Sequence, residues 1–393
     1  MTAALPNAPS PGSLRSAYLR EEHEMLRRQV RRFVEEEIKP NAAEWEEQGS
    51  VPRAVLRRMG ELGFFGIRYP AEYGGAEMDT LASAVFAEEL GRSTFGGVAI
   101  TALVHTDMAS VHLFNAGSKA LKDRFMPGIV AGELITAVAI TEPGAGSDVK
   151  AIRTTARRDG AHYVLNGSKL FITNGVLADL YCVAAKTDPH AKPSQGLSML
   201  LVEKGTPGLR VSRALDKHGW RSSDTAELAF EDCRVPAEHI LGGEGRGFYA
   251  IMRNFQNERI VLGAMAMGEA QAALALTLAW ARERNAFGGP LWNKQAIRLK
   301  LAMLAAKVEA GLQLVHHAAW LDAQGFDAVK EVSMVKAYCG ELVNEVMYHC
   351  LQCHGGMGYM RGTTIERMAR DARVQAIGGG ATEVMLEEIA KRL

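Results

Sequence analysis

The chain has 393 residues, enough for two or three domains with cores of their own. Its 45 lysines and arginines balance 45 aspartates and glutamates, so no net field draws it to nucleic acid or an anionic bilayer, and both are set aside as partners. No uninterrupted apolar run approaches the roughly 20 residues that span a membrane.

Taken in order, residues 1–15 contain Pro6, Pro9 and Pro11, which interrupt any amphipathic leader helix before Arg15. A flexible tail on a cytoplasmic protein is therefore expected in preference to a mitochondrial presequence. Residues 16–137 read as a helical domain. Leu26, Val30, Phe33, Val34 and Ile38 recur at three- and four-residue steps between charges, and Pro40 marks the end of that helix. A Pro/Gly-broken connector at 64–78 leads to helical stretches at 81–90 and 98–114.

Over residues 138–247 the period changes toward alternation and a β domain is expected. Asn166-Gly167, flanked by Tyr163-Val164-Leu165 and Ser168 to Phe171, predicts a tight hairpin, because Asn-Gly readily takes two positive-φ positions. Further strands are expected at 181–185, 197–202, 209–211 and 226–230. Residues 248–393 return to helix: 251–284 up to the Gly288-Gly289-Pro290 break, then 294–324. A stripe follows of Val332, Val335, Cys339, Leu342, Val346, Cys350 and Cys353. The five cysteines are odd in number and too few for a disulfide scaffold, so they are expected as small buried hydrophobes.

The segment Val138-Ala139-Ile140-Thr141-Glu142-Pro143-Gly144-Ala145-Gly146-Ser147-Asp148 is a strand-like run ending in an irregular turn. Its bare amides suit a phosphate or a flavin edge, although a plain structural loop has the same composition. Its wording resembles the first signature of the acyl-CoA dehydrogenase flavoproteins. Phe171-Ile172-Thr173-Asn174-Gly175, Arg284 to Gly288 with Gln295, and Gln352-Cys353-His354-Gly355-Gly356 resemble further motifs of that family.

The resemblance implies an α+β chain of the acyl-CoA dehydrogenase fold, with an N-terminal all-α domain, a middle β-barrel-like domain and a C-terminal four-helix bundle. It implies FAD, α,β-dehydrogenation of an acyl-CoA to a trans-2-enoyl-CoA, electron-transfer flavoprotein as acceptor, and a homotetramer. By the same resemblance Val138, Ala139, Ile140, Thr141, Gly144, Gly146, Ser147, Phe171, Ile172 and Thr173 contact FAD, with Phe171 where tryptophan is frequent. Arg284, Phe287, Gln295, Gln352, Cys353, His354, Gly355 and Gly356 contact it from a neighbouring subunit or a helix end, and Ala381, Thr382 and Glu383 add contacts. Ala381 replaces a threonine and Thr364 a proline, which weakens those two positions. Ser147, Ser194, Tyr249 and the run Gln256, Asn257, Glu258, Arg259 are expected against the acyl-CoA, with Gly379 and Gly380 polarising its carbonyl.

Cys350-Leu351-Gln352-Cys353-His354 also fits a c-type haem attachment pattern, but both cysteines continue the core stripe, and no metal site is assigned. Removing an α proton calls for a carboxylate in a dry pocket. Where many members carry that glutamate near the C-terminus, this chain has Gly379 in Ile377-Gly378-Gly379-Gly380-Ala381-Thr382-Glu383. The long-chain and isovaleryl branches carry it on the long helix, which designates Glu258. The stretches 217–247 and 255–260 are most similar to long-chain enzymes, and Gly378 in place of an aromatic is similar to the isovaleryl branch. A medium-to-long or branched acyl chain is expected, methyl-branched and terpenoid acids among them. The rival expectations are an acyl-CoA oxidase or flavin monooxygenase on the same fold, or a silent acyl-CoA binder.

Overall fold

The computed structural model describes residues 17–192 and 194–393, and the tail expected over 1–15 lies outside the described residues. Helix α1 (Glu21–Phe33) buries Leu26, Val30 and Phe33 on one face. Acids fill its first turn and Arg31 and Arg32 its last, both favourable to the helix dipole. It continues as a π-helical turn, Val34–Ile38. After α2 (Ala42–Gln48) and α3 (Arg53–Glu61), two short 3-10 turns carry the chain to α4 (Thr80–Gly91), whose N-cap Asp79 accepts from the Ala82 amide. Arg27 and Arg31 of α1 reach Glu88 and Glu89 of α4 at 2.8 and 2.7 Å, tying the two helices together. Next come α5 (Gly96–Leu103), a second π-helical segment (Val104–Ala109), α6 (Ser110–Ala116) and α7 (Lys119–Val130).

Among the described residues eight strands form one sheet: β1 (Thr136–Ala139), β2 (Thr155–Asp159), β3 (His162–Thr173), β4 (Leu180–Lys186), β5 (Leu197–Glu203), β6 (Leu209–Ala214), β7 (Thr225–Pro236) and β8 (Ile240–Leu241). The spatial order is β6-β7-β3-β2-β4-β5-β8, with β1 parallel to β4. The hairpin expected at Asn166-Gly167 is not there. The turn between β2 and β3 falls at Gly160, whose φ is +60°, and β3 runs straight through Asn166 and Gly167. What the pair makes is a bulge: the register against β7 shifts between Leu165 and Gly167. The Asn166 side chain exchanges two hydrogen bonds with Asp232 on β7, donating to Oδ1 at 3.1 Å and accepting from its amide at 2.9 Å. Pairing with a distant strand has overridden a local turn preference.

Helix α8 (Gly247–Glu283) has 37 residues and is about 55 Å long at 1.5 Å per residue. α9 (Gln295–Ala323), α10 (Val329–His354), α11 (Thr364–Ala372) and α12 (Thr382–Ala390) complete the C-terminal part. One apolar core joins the N-terminal helices to α8, α9 and α10, a second lies between the sheet and α6 and α7, and a third lies within the sheet. Two continuous helical stretches, Gly96–Ala116 and Gly247–Glu283, are long and apolar enough to cross a membrane, which corrects the expectation of no such run. Most of the apolar part of each is buried inside the protein, and they serve as its core helices. Cys182, Cys233, Cys339 and Cys350 are buried, while Cys353 is only partly so.

Candidate active site

Glu258 lies in the first third of α8 and is only 6% exposed. The helix places Asn254 one turn before it, and the Asn254 amide donates to Glu258 Oε1 at 2.9 Å. Burial is the largest influence on this carboxyl and pushes its pKa up to about 7. Asp107 raises it further, whereas the Asn254 bond and Arg259 pull it down. The carboxyl is thus dry, held in one orientation, and half ionised near neutrality, the properties a general base requires.

The wall beside Glu258 is polar. Asn257 donates to the Asp107 carbonyl at 2.9 Å and to Asp107 Oδ1 at 3.1 Å, and it accepts from Arg68. Asn254 also reaches the Met108 carbonyl at 3.2 Å. The π-helical segment Val104–Ala109 presents Asp107 here. An acid inside an otherwise apolar helical stretch is a signal the sequence carried, since a buried charge needs a reason.

At Arg259 and Leu262 the C-terminal glycine turn approaches α8. Gly379 and Gly380 have φ of +66° and +107°, values that favour glycine. A Cβ at Gly379 would run into Leu262 Cδ1, so the position where a glutamate was looked for has no room for a side chain as packed. The amides of Ile377 and Gly378 both bond to the Val374 carbonyl at 2.8 Å. Those of Gly379 and Gly380 have no acceptor among the described residues. Arg259 Nε, buried and without a partner, faces the same turn. Tyr249, exposed near the start of α8, borders a surface cleft with Gln195, Glu244, Gly245 and Arg246, of about 430 Å³. Ser194 adjoins Gln195 there, while Gln256 is half-buried on α8.

The expected cofactor residues fall into three groups. In the first, Val138, Ala139, Ile140 and Thr141 run along and out of β1, followed by Gly144, Gly146 and Ser147 on an exposed loop. Lys169, wholly buried on β3, ties that loop down: its ammonium lies 2.8 Å from Glu142 Oε1 and donates to the Ile140 carbonyl at 3.0 Å. Glu142 also accepts from the amides of Arg153 and Thr154. The end of β3 then turns Phe171 outward through a second register shift. The ring is 65% exposed and its φ is +61°, while Ile172 points inward and Thr173 is half-buried. Asn174, also at positive φ, donates to the carbonyls of Thr101 and Thr136 and locks this corner to α5 and β1.

The second group is the paired ends of α8 and α10. Trp280 stacks on His354 at 5.0 Å and donates to the Cys353 carbonyl at 3.2 Å, which brings Gln352, Cys353, Gly355 and Gly356 beside the last turn of α8 before Arg284. Arg284, Gln295 and Gln352 are exposed, and Phe287 is 95% exposed. In the third, Ala381 precedes α12, Thr382 donates to Glu341 at 2.7 Å, and Glu383 is exposed. Sequence reasoning passed over Glu142, Lys169, Asn174, Asn254 and Asp107.

These residues fit a large planar cofactor with an anionic tail. A Cβ at Gly144, Gly146, Gly355 or Gly356 would meet nothing within 4 Å, so bare backbone is open to a ligand at both places. The unpacked Phe171 ring offers an apolar face to stack on, and Arg284 a cation for phosphate.

Comparison with known proteins defines the class. The chain matches the models of the acyl-CoA dehydrogenase N-terminal domain over residues 20–133, the middle domain over 137–233 and the C-terminal domain over 245–393. It is 40% identical over 380 residues to the mitochondrial long-chain specific acyl-CoA dehydrogenase of Mus musculus, covering 95% of this chain and 86% of that one. With the isovaleryl-CoA dehydrogenase of Pongo abelii it shares 38% over 369 residues, 93% of this chain and 87% of that one. The crystal structure of an acyl-CoA dehydrogenase from Geobacillus kaustophilus superposes with a TM-score of 0.92 at 41% identity, covering 96% and 99% of the two chains. An FAD complex of PigA superposes with a TM-score of 0.92 at 28% identity, covering 95% and 98%. The chain belongs to the acyl-CoA dehydrogenase family. It is an FAD-dependent oxidoreductase acting on acyl-CoA, with the family's helical, sheet and helical domains.

Proposed function

We propose that the chain dehydrogenates a medium-to-long or branched acyl-CoA to the trans-2-enoyl-CoA and passes the electrons to an electron-transfer flavoprotein. The observation that carries this reading is Glu258, a buried carboxyl with a pKa near 7 on the helix whose next residues, Arg259 and Leu262, meet a glycine turn with free amides. In this reading Glu258 takes the α proton. The Gly379 or Gly380 amide receives the thioester oxygen as charge builds on it. Arg259 and Asn257 orient the substrate, and Tyr249 and Ser194 border the entry of its CoA portion. FAD, when bound, supplies the two-electron acceptor, held by the loop 138–147, by Phe171 to Thr173, and by Arg284 and Gln352 to Gly356 of a neighbouring subunit. Fixing both carbons of one bond at once is most of the catalysis.

The chain length and branching are supported by similarity to long-chain and isovaleryl enzymes and by Gly378, which leaves room beside the turn. A neighbouring structure concerns the electron-transferring flavoprotein of Acidaminococcus fermentans, which supports that acceptor. A homotetramer is supported by the exposure of Phe287, Met357, Tyr359 and Met360, an apolar surface that suits a subunit contact. Glu258→Gln should keep FAD and lose reduction by acyl-CoA by at least about 10³-fold, read as anaerobic bleaching in a stopped-flow instrument. Reduction at the wild-type rate would show that another base operates.

A further inference from the structure

Lys336 is a buried cation to which the mechanism so far gives no part. It lies on α10, is 1% exposed, and its ammonium donates to the Gln375 carbonyl at 2.5 Å and the Gly380 carbonyl at 2.9 Å. Those two carbonyls bracket the segment that contains Gly379 and Gly380. Within it Ile377 and Gly378 spend their amides on Val374, which leaves the next two amides without an acceptor among the described residues. Gly379 has no side chain to anchor it and sits at positive φ, so the bonds from Lys336, with the Thr382 hydroxyl on Glu341 just beyond, tie the turn to α10. Both acceptors are neutral carbonyls, so the ammonium charge is not cancelled by them. The charged groups around it are Arg259 on α8 and Glu341 on its own helix, with the Cys339 thiol beside it. Arg259 in turn faces Glu258 on α8 and Glu388 and Arg392 on the α12 side.

We propose that Lys336 is a positioning residue of the dehydrogenation. It clamps both ends of the glycine turn so that the Gly379 and Gly380 amides point at the thioester oxygen, and its charge lies beneath the oxygen on which negative charge collects. This rests on the proposed reading of the site. When Glu258 takes the α proton, the C–H electron pair delocalises toward the thioester oxygen. A cation under the receiving amides favours that state over the neutral ground state, so its effect belongs in the rate and not in substrate binding.

The test uses the FAD-loaded full chain and the acyl-CoA that bleaches it fastest, followed anaerobically. Lys336→Gln keeps donors and loses the charge. Its limiting reduction rate should fall about 10- to 100-fold, with half-saturation changed less than about 3-fold and FAD content unchanged. Lys336→Arg should restore most of the rate. Burial pushes the Lys336 ammonium down to about 8, so the wild-type rate should fall as pH rises through 8 and the cation is lost, and Lys336→Arg should remove that limb. Wild-type reduction by Lys336→Gln, alongside a dead Glu258→Gln, would overturn the role of Lys336 and leave the base assignment standing. Undiminished reduction by Glu258→Gln would instead overturn the reading of the site. Should Lys336→Gln fail to fold, Lys336→Met takes its place, since it keeps the buried stem and loses the ammonium, and reduction by it at the wild-type rate overturns the proposal.

Discussion

Glu258 shows how one side chain is tuned by conflicting neighbours. Burial and Asp107 favour its neutral form, while Asn254 and Arg259 favour its ionised form, and the outcome lies near 7. A base works only when ionised, so the reduction rate should climb as pH rises through about 7. With the Lys336 limb above, this gives a bell-shaped profile. Asn254→Ala removes the bond that stabilises the carboxylate, so the acid limb should move to higher pH, while rates measured above pH 8 change little. An unmoved limb would show that the Asn254 contact does not tune the base. The proposal of Glu258 as base came from the family resemblance, with Gly379 standing where another glutamate was sought, and its burial on α8 supports it. Its surroundings were not legible in the sequence, because Asp107, Arg68 and Asn257 meet only when the π-helical segment, the 64–78 connector and α8 are folded together.

At the scale of elements, the site is built where two strands depart from regularity. The register of β3 slips twice against β7, once at Gly167 and once before Ile172, and the second slip turns Phe171 out toward solvent. Local propensity suggested a turn at the first of these places, because Asn-Gly favours positive φ in isolation. The long strand β7 lay too far away in sequence for its pairing to be weighed. Helices were read more faithfully than strands, since a stripe at three- and four-residue steps needs no partner to be recognised. The pair Glu142 and Lys169 staples the loop of the first signature to β3. Both partners are buried, so Lys169→Met, which takes away the counter-charge of Glu142 and leaves it only the Arg153 and Thr154 amides, should cost about 3 kcal/mol. FAD affinity measured by equilibrium dialysis should fall with it, because two stretches expected to hold the cofactor lose their common anchor. Unchanged affinity would mean that the loop keeps its shape without the ion pair.

The whole molecule converges on a cluster of buried acids. Asp371 of α11 accepts from the Gly96 amide at 3.0 Å and from the Trp220 amide at 2.6 Å, joining the N-terminal helices, the sheet region and the C-terminal helices. Glu269 of α8 lies close by, with one oxygen unpartnered. Burial holds the Asp371 carboxyl up at about 7, with Glu46 raising it further, and holds Glu269 well above the usual carboxylate range, with Asp371 raising it further. Both folded-state values lie above the unfolded ones. Their contribution to stability is therefore complete in acid and is lost as pH rises through 7 and beyond. Glu269→Gln should raise the thermal midpoint more at pH 9 than at pH 5, and equal midpoint changes at the two pH values would contradict this. This junction was invisible in the sequence, where its residues are scattered from Gly96 to Gln375 among ordinary helical text. The order of helical, sheet and helical parts was readable from periodicity alone.

The central claim is that this chain oxidises an acyl-CoA at its α and β carbons. It is tested most directly by anaerobic titration of the yellow protein with straight and branched acyl-CoAs, following the flavin absorbance. Stoichiometric bleaching by medium-to-long or branched thioesters, with formation of the enoyl-CoA, is the predicted result. Persistent yellow colour with every thioester, FAD remaining bound, would contradict it.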